Sequence, residues 1–263
     1  VFPKFYASNG TKYWDRLKYL NGKFDTRLYG MPILEGREIA YNETRSLELI
    51  KLKTIIDSFQ DLILNIRVGG TDFSSIFGVR RGINSSIYDI HPVRDALSEI
   101  LNFFSRSEEE YTISGPVWEY FLAYKNDDLQ ALMNRKLSKS LLTREPILNP
   151  AIDGLLREVV IDKTNGFVGK TVIHPSHLKI VNAMQAVTLE EYQDAKQILG
   201  AVGGVIKSES SNKMNEVNPH RNWAKKVIQV ADVFGVIANE DQYLHLLMDN
   251  SGHEKRTSIA LVQ

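Results

Sequence analysis

Five apolar runs, beginning near residues 1, 28, 62, 111 and 167, alternate with amphipathic helical stretches. That alternation predicts an α/β protein with a parallel sheet and helical crossovers. The first intervals lie close to the roughly 31 residues per unit of an eightfold (β/α) barrel, the TIM architecture. Two of the runs also end alike: residues 28–34 stop at Glu35-Gly36, and residues 62–68 stop at Gly69-Gly70-Thr71-Asp72. Both deliver a carboxylate to the C-terminal edge of the sheet, where ligands bind in such folds.

In chain order, residues 1–5 form a short strand whose end carries Lys4, with a turn at Ser8-Asn9-Gly10. Residues 11–20 have helical spacing and stop at Asn21-Gly22. Residues 42–60 read as the clearest helix, with Leu47, Ile50, Leu52, Ile55, Ile56 and Phe59 mostly on one face. Residues 62–68 read as a buried strand and 74–78 as a short helix that Ser74 and Ser75 can cap. Residues 89–106 form an amphipathic helix with Pro92 in its first turn, where proline is tolerated. A strand at 111–114 breaks at Gly115-Pro116. Helices follow at 118–124, 127–142 and 151–163, a strand at 167–173, and helices at 176–185 and 189–202. Residues 203–212 read as a polar loop, 223–234 as a helix and 240–248 as a further one. The expected organisation is a barrel domain over 1–202, with a helical insertion near 117–150, and a C-terminal helical extension over 203–263. Five strands where a closed barrel needs eight predict an open sheet, with residues 1–5 at one edge and 167–173 at the other. The opening Val1-Phe2-Pro3-Lys4 reads as if within a strand, so three further strands are expected before it.

Composition narrows the function. Hydrophobic residues make up 43% and charged residues 24%, an ordinary globular mix. Lys plus Arg and Asp plus Glu both number 32, so no nucleic-acid surface is expected. The absence of cysteine excludes disulfides, thiolate nucleophiles and Cys-ligated zinc, and fits a cytoplasmic protein. No apolar run approaches the roughly 18 residues needed to span a bilayer, so no membrane partner is expected.

Glu35 and Asp72, on adjacent strand ends, would converge within one ion's coordination sphere. Hard oxygen donors in small number suit Mg²⁺ or Mn²⁺ and leave positions for water and substrate. The alternative is two unrelated surface acids, with Asp72 a helix cap. Gly169-Lys170-Thr171 ends like a phosphate loop, but Thr164 stands where that motif needs its first glycine, and the segment opens a strand rather than a helix. His174 and His177 have no third ligand nearby, and His174 is read as a hydrogen-bonded loop residue. Gly69-Gly70 lacks the third glycine of a dinucleotide fingerprint. Arg80-Arg81 either holds an anion near the strand end or is a solvated pair. The basic stretch 126–144 is read as a solvated helix face.

Taken together, the segments resemble the HpcH/HpaI aldolase and citrate-lyase beta-subunit superfamily. Val1-Phe-Pro-Lys-Phe5 is similar to that family's fourth barrel strand, and Met31-Pro-Ile-Leu-Glu35 to its fifth, which ends in a metal-binding glutamate. Gly69-Gly-Thr-Asp-Phe73 resembles the segment whose aspartate completes the metal site. Gly166-Phe-Val-Gly-Lys-Thr-Val-Ile-His-Pro175 resembles the eighth strand and its exit, the most specific match of the set. Lys213-Met214 with Glu216 resembles a later Lys-Met-x-Asp stretch whose acid reaches a neighbouring subunit's site in some members. Glu216 replaces the usual aspartate there, Thr71-Asp72 replaces an acid pair, and the insertion after Ser114 points to a divergent branch of the type found in tellurite and stress-response operons.

The resemblance implies a carbon–carbon bond lyase in which Mg²⁺ or Mn²⁺ on Glu35 and Asp72 chelates an oxo- or hydroxy-carboxylate and stabilises an enolate. A coenzyme A thioester is an open alternative for the substrate. Glu216 is the expected proton-transfer group, supplied between copies of a homo-oligomer. Lys4, Gly70, Thr71 and Lys170 are expected to contact substrate. A non-catalytic barrel that binds a small anion or a partner, and a metal-dependent phosphotransfer enzyme, remain as alternatives.

Overall fold

The computed structural model describes residues 4–107, 111–121, 146–209 and 212–248. The chain divides into two compact units. The first comprises Val1–Tyr120 with Arg157–Ile173, and the second Phe121–Leu156 with His174–Gln263.

The first unit is a parallel ladder backed by helices. Strands β1 (Ile33–Leu34), β2 (Ile66–Val68) and β3 (Ile113–Ser114) pair in sequence order, all parallel. Parallel bridges from Lys4 to Ile33 and from Gly115 to Lys170 extend the row by one segment on each side. Five segments therefore lie side by side in chain order, and among the described residues the ladder does not close. Residues 1–3 of the first expected strand lie outside the described residues. Three of the other expected strands shrink to two or three residues, and 167–173 to the single bridge at Lys170, although backbone bonds continue the contact: Val168 N donates to Ile113 O at 2.8 Å and Thr171 N to Gly115 O at 2.9 Å.

Helices α1 (Gly10–Lys23), α2 (Arg37–Ala40), α3 (Asn42–Asp57), α4 (Gly70–Ile76) and α5 (His91–Phe104) follow the ladder's segments in turn. Side chains alternate between the faces of a strand. Leu34, Ile66, Val68 and Ile113 point to the helices and share one core with Trp14 of α1, Leu49, Leu52 and Ile56 of α3, and Val93, Leu97, Ile100 and Phe104 of α5. The face expected for α3 is off by part of a turn: Leu47 and Ile50 are exposed, whereas Leu49 and Arg45 turn inward. Arg45 is satisfied there by the carbonyls of Ile39 and Ala40, each at 2.7 Å.

Helix α4 begins at Gly70 rather than at Ser74. The serines are interior to it, with Ser74 Oγ bonded back to Gly70 O at 2.9 Å, so neither is the expected cap. Asp72 falls in the first turn instead. Helix α6 (Pro150–Asn165) matches expectation, and residues 118–121 are irregular. The remainder of the expected helix at 118–124, and the basic helix at 127–142, lie outside the described residues.

In the second unit, α7 (Ser176–Ala183) leads to β4 (Val187–Thr188) and α8 (Leu189–Gly200). Thr188 and Glu191 form a capping box on α8. The expected loop at 203–212 contains one arm of an antiparallel hairpin, β5 (Val205–Lys207) with β6 (Met214–Glu216). Helix α9 runs over Val217–Phe234, six residues longer at its start than expected, because Pro219 sits in a first turn that tolerates it. Strand β7 (Val236–Ile237) pairs with β4, and α10 (Tyr243–Met248) ends the described chain. Val187, Ala195, Ile198, Ala224, Val227 and Ala231 form one cluster. The boundary expected at residue 202 thus falls inside this unit, between two helices that share a core. No described helix is long and apolar enough to cross a membrane.

Candidate functional site

Two strand ends and one lysine build the site. Glu35 directly follows β1, and Gly69 directly follows β2 and donates its N–H to Leu34 O at 3.1 Å. A Cβ on Gly69 would lie 2.2 Å from Glu35 Cβ and 2.4 Å from its Oε2. Any other residue there would displace the glutamate, so the glycine is needed for close approach rather than for its backbone freedom. Three residues on, the first turn of α4 presents Asp72. Lys4, paired with Ile33 on the neighbouring segment, sets its ammonium between the two acids. Its Nζ is 2.9 Å from Glu35 Oε1 and 3.0 Å from Asp72 Oδ1. The two oxygens are therefore at most about 5.9 Å apart, close enough for modest rearrangement to bring both to one divalent ion.

Exposure is uneven across this trio. The Glu35 side chain is 5% exposed, Asp72 45% and Lys4 61%. Burial pushes the Glu35 carboxyl above its usual range; the Lys4 hydrogen bond draws it back down, and the Asp72 charge pushes it up again. Hydrogen bonds to Glu35 and then Asp72 hold the Lys4 ammonium well above the ordinary lysine value. A buried carboxylate beside a half-exposed one, with a cation lodged between them, is an electrostatic arrangement that favours positive charge at this point. Among the described residues no group of three or more His, Cys, Asp or Glu side chains could hold a metal. Two hard carboxylate donors with solvent access on one side fit Mg²⁺ or Mn²⁺, which keep several positions for water and substrate.

The other expected site residues go elsewhere. Gly70 is buried at the start of α4, close to Pro116 and Ile87. Thr71 is exposed and donates to Glu119 Oε1 at 3.1 Å. Lys170 is not brought to Lys4, Glu35 and Asp72. Its side chain is 1% exposed and is held by Glu158 and Asp162 of α6, each at 2.8 Å, so a substrate contact gives way to a buried ion cluster. Glu216 belongs to the second unit, exposed on the residue before α9. Its neighbour Lys213 bridges Glu190 at 2.8 Å and Asp194 at 2.7 Å. His174 keeps the loop role: Nδ1 lies 2.8 Å from Ser176 Oγ, and the ring stacks on Phe121.

Two arginines carry more than the sequence reading gave them. Arg81 is neither solvated nor an open anion site. It is buried against Glu119 and Glu158, donates to Val117 O, and lies over the Trp118 ring. Arg67 lies in the middle of β2, inside a run expected to be an apolar buried strand. It is half-buried on the same sheet face as Gly69, and its Nε lies 3.4 Å from Thr171 Oγ1. Burial pulls its guanidinium below the usual value and the nearby Glu35 charge lifts it. The signal was available: Asn65, Arg67 and Gly69 alternate with Leu64, Ile66 and Val68, the period of a strand with two different faces.

A parallel ladder backed by helices, with acids near its C-terminal ends, is an arrangement that (β/α) barrels share. A family model described as C-C_Bond_Lyase of the TIM-Barrel fold matches residues 1–236. The chain belongs to this family of carbon–carbon bond lyases. No curated protein matches it.

Proposed function

We propose that the protein is a metal-dependent carbon–carbon bond lyase of the HpcH/HpaI type, acting on an oxo- or hydroxy-carboxylate, either free or as a coenzyme A thioester. The observation that carries this reading is the single ammonium shared by Glu35 and Asp72 at the C-terminal ends of adjacent strands. Glu35 and Asp72 would hold Mg²⁺ or Mn²⁺. Such an ion supplies Lewis-acid stabilisation of negative charge on a substrate oxygen. Gly69 keeps the Glu35 carboxylate against the sheet edge, and burial fixes its rotamer. Asp72 is positioned by the first turn of α4 and stays accessible to water and substrate. Lys4 is on hand as an anion contact once it leaves the two acids. Glu216, exposed at the start of α9, is the proton-transfer group offered by one copy to the site of another in a homo-oligomer.

The test is a calorimetric Mg²⁺ titration of the chain and of Glu35→Gln, joined to an assay for pyruvate, acetyl-coenzyme A or glyoxylate release across a panel of oxo- and hydroxy-acids. Mg²⁺ binding that disappears in Glu35→Gln, with release that needs the ion, is the expected result. Binding untouched by the substitution, or no release from any acid, overturns the reading.

A further inference from the structure

We infer that the outward ridge of α1, with the loop that follows it, is a surface that docks on anionic lipid headgroups. Lys12, Arg16, Tyr19 and Lys23 stand at spacings of four, three and four residues. At about 3.6 residues per turn, these four fall within about 60° of one another around the helix axis. Trp14 and Leu17, which are buried in the first unit's core, point the other way. The ridge is therefore the part of α1 farthest from that core, and all four of its residues are exposed. Three are cations and none is an acid; Asp15, the acid nearest them on the helix, stands to one side. Exposed surfaces ordinarily intersperse both signs.

The loop continues the ridge. Asn21 closes it: its Nδ2 donates to Leu28 O at 2.9 Å, and its Oδ1 accepts from Leu28 N–H at 2.7 Å. Residues 22–27, held between these two points, are all exposed, and the Arg27 guanidinium donates to Asp61 O at 3.2 Å. Rings line this surface. Tyr19 is 54% exposed, Phe24 55% and Tyr29 41%. Three of the four exposed aromatic side chains among the described residues of the first unit thus fall within residues 19–29, the fourth being Tyr41. Phe24 has no polar tip to offer water, and every other described phenylalanine of that unit is buried or half-buried. A cation sits by each ring. Arg16 is 4.8 Å from the Tyr19 ring centre, Lys23 is 6.0 Å from Tyr19 and 5.7 Å from Phe24, and Arg27 is 5.4 Å from Tyr29.

The pairing of cations with exposed rings selects the partner. Each lysine or arginine near an anionic leaflet adds attraction, and aromatic rings settle at headgroup depth. Contact with a bilayer surface takes both a basic patch and an apolar group that enters the interface. Lys12, Arg16, Lys23 and Arg27 supply the first and Phe24 the second, with Tyr19 and Tyr29 at the boundary. Asp15 and Asp25 offset part of the charge, which makes the contact weak and salt-sensitive. One helix ridge and a projecting loop are convex, which suits a flat partner. Single-stranded nucleic acid is the other polyanion that rings and cations attract, but bases stack on ring faces, and Arg16, Lys23 and Arg27 already lie over these. The balance of 32 basic and 32 acidic residues also gives no wider positive field for a polynucleotide to follow. No described helix can cross a bilayer, and this contact needs none. By chain order the loop enters β1 at the edge of the ladder opposite Glu35, so a docked molecule keeps that acid's end open to solution.

The experiment is co-sedimentation of the full chain with phosphatidylcholine vesicles, with and without phosphatidylglycerol, at low and at physiological ionic strength. Binding that needs phosphatidylglycerol and falls with salt is the expected result. Arg16→Gln with Lys23→Gln should weaken it by about fivefold for each charge removed. Phe24→Ser should weaken it by several-fold at either ionic strength, because its contribution is not electrostatic. Lys51→Gln with Arg94→Gln removes two exposed cations elsewhere on the first unit and should leave binding within about twofold. Equal binding to both kinds of vesicle, binding to neither, or equal losses from the two double variants overturns the assignment. So does binding of a fluorescent oligouridylate without binding of vesicles, which would make the ridge a nucleic-acid surface. Melts followed by circular dichroism should match the parent's, since every changed side chain is exposed. If Arg16→Gln with Lys23→Gln melts early, Lys12→Gln with Lys23→Gln takes its place with the same outcomes.

Discussion

Lys4 and Lys170 sit at opposite ends of the parallel ladder, and each meets two carboxylates. The distances barely differ: 2.9 and 3.0 Å for Lys4, 2.8 Å twice for Lys170. Their surroundings differ greatly. The Lys4 side chain is 61% exposed and Lys170 1%. Around Lys170 both acids are as buried as the lysine, and Arg81, Tyr88 and Ile87 N–H complete the bonding of Glu158 and Asp162. Around Lys4 one acid is buried and the other half open. The same three charged groups therefore make a closed strut in one place and a solvent-accessible cluster in the other. Geometry of the ion pair alone does not tell them apart; access to water and to a competing cation does.

The sharpest way to break this contrast is to remove each ammonium in turn. Lys170→Met leaves Glu158 and Asp162 buried with one cation fewer, and should cost about 3–5 kcal/mol in denaturant unfolding. Lys4→Met takes an exposed ammonium from one buried and one half-open acid, and should cost clearly less than Lys170→Met. Similar losses from the two would erase the distinction.

The pH dependence of the buried cluster sharpens it further. Burial alone would raise the Glu158 carboxyl, but the Lys170 and Arg81 charges outweigh it and hold the group below its usual range. Asp162 goes the other way, because burial there is larger than the help from Lys170. A depressed carboxyl contributes stability above its unfolded value, near 4.5, and loses it as pH falls through the folded value. Since glutamine mimics the protonated acid, the stability advantage of the parent over Glu158→Gln should be full at pH 7 and shrink as pH falls below about 4.5. An advantage independent of pH would mean that the cluster works by shape and not by charge.

At the open end, Asp72→Asn tests function without fold. Removing one of the two carboxylates proposed to hold Mg²⁺ should weaken its binding by at least about tenfold in calorimetry. The side chain is 45% exposed and paired only at the surface, so the unfolding free energy should move by less than about 1 kcal/mol. Unchanged metal affinity, or a collapsed melting temperature, would put Asp72 in the scaffold with Lys170.

The sequence made the open end legible because its signal is local. An apolar run, then glycine or acid, announces a strand end, and two such endings at Glu35 and Asp72 fall on adjacent strands in the ladder. The long helices were readable from their spacing, and α8 carries a capping box that lies within four residues. The closed end was not legible, because its partners are far apart in the chain: Arg81 meets Glu158 across 77 residues and Tyr88 meets Asp162 across 74. Lys170 and Thr171 show how fine the missing information is. They are adjacent, yet one faces α6 and the other Arg67, and a one-residue change of register would exchange them. Arg67 was obscured for a related reason: an apolar run read as buried on both faces hides the polar half of its alternation. The hairpin β5–β6 gave no strand signal at all, since Val205, Lys207, Met214 and Glu216 are exposed and glycines lead into it.

The smallest effect is also the most discriminating. Lys4 already places a positive charge between Glu35 and Asp72, so a divalent ion must displace it. Lys4→Met removes that competitor and leaves both carboxylates with less compensating charge. Both changes favour Mg²⁺. Against them, the loss of the Lys4 hydrogen bond lets burial raise the Glu35 carboxyl further, so a proton competes better with the ion. At pH 8 the proton term fades, and Mg²⁺ affinity should rise about two- to fivefold, under 1 kcal/mol because the lysine is solvent-exposed. At pH 6 the gain should narrow. Raising the ionic strength should reduce it too, as it does for exposed charges generally. A fall in affinity at pH 8 would reverse the picture. Lys4 would then be the group that holds the two acids at one point, and the open end would resemble the closed one, a strut that ion binding requires intact.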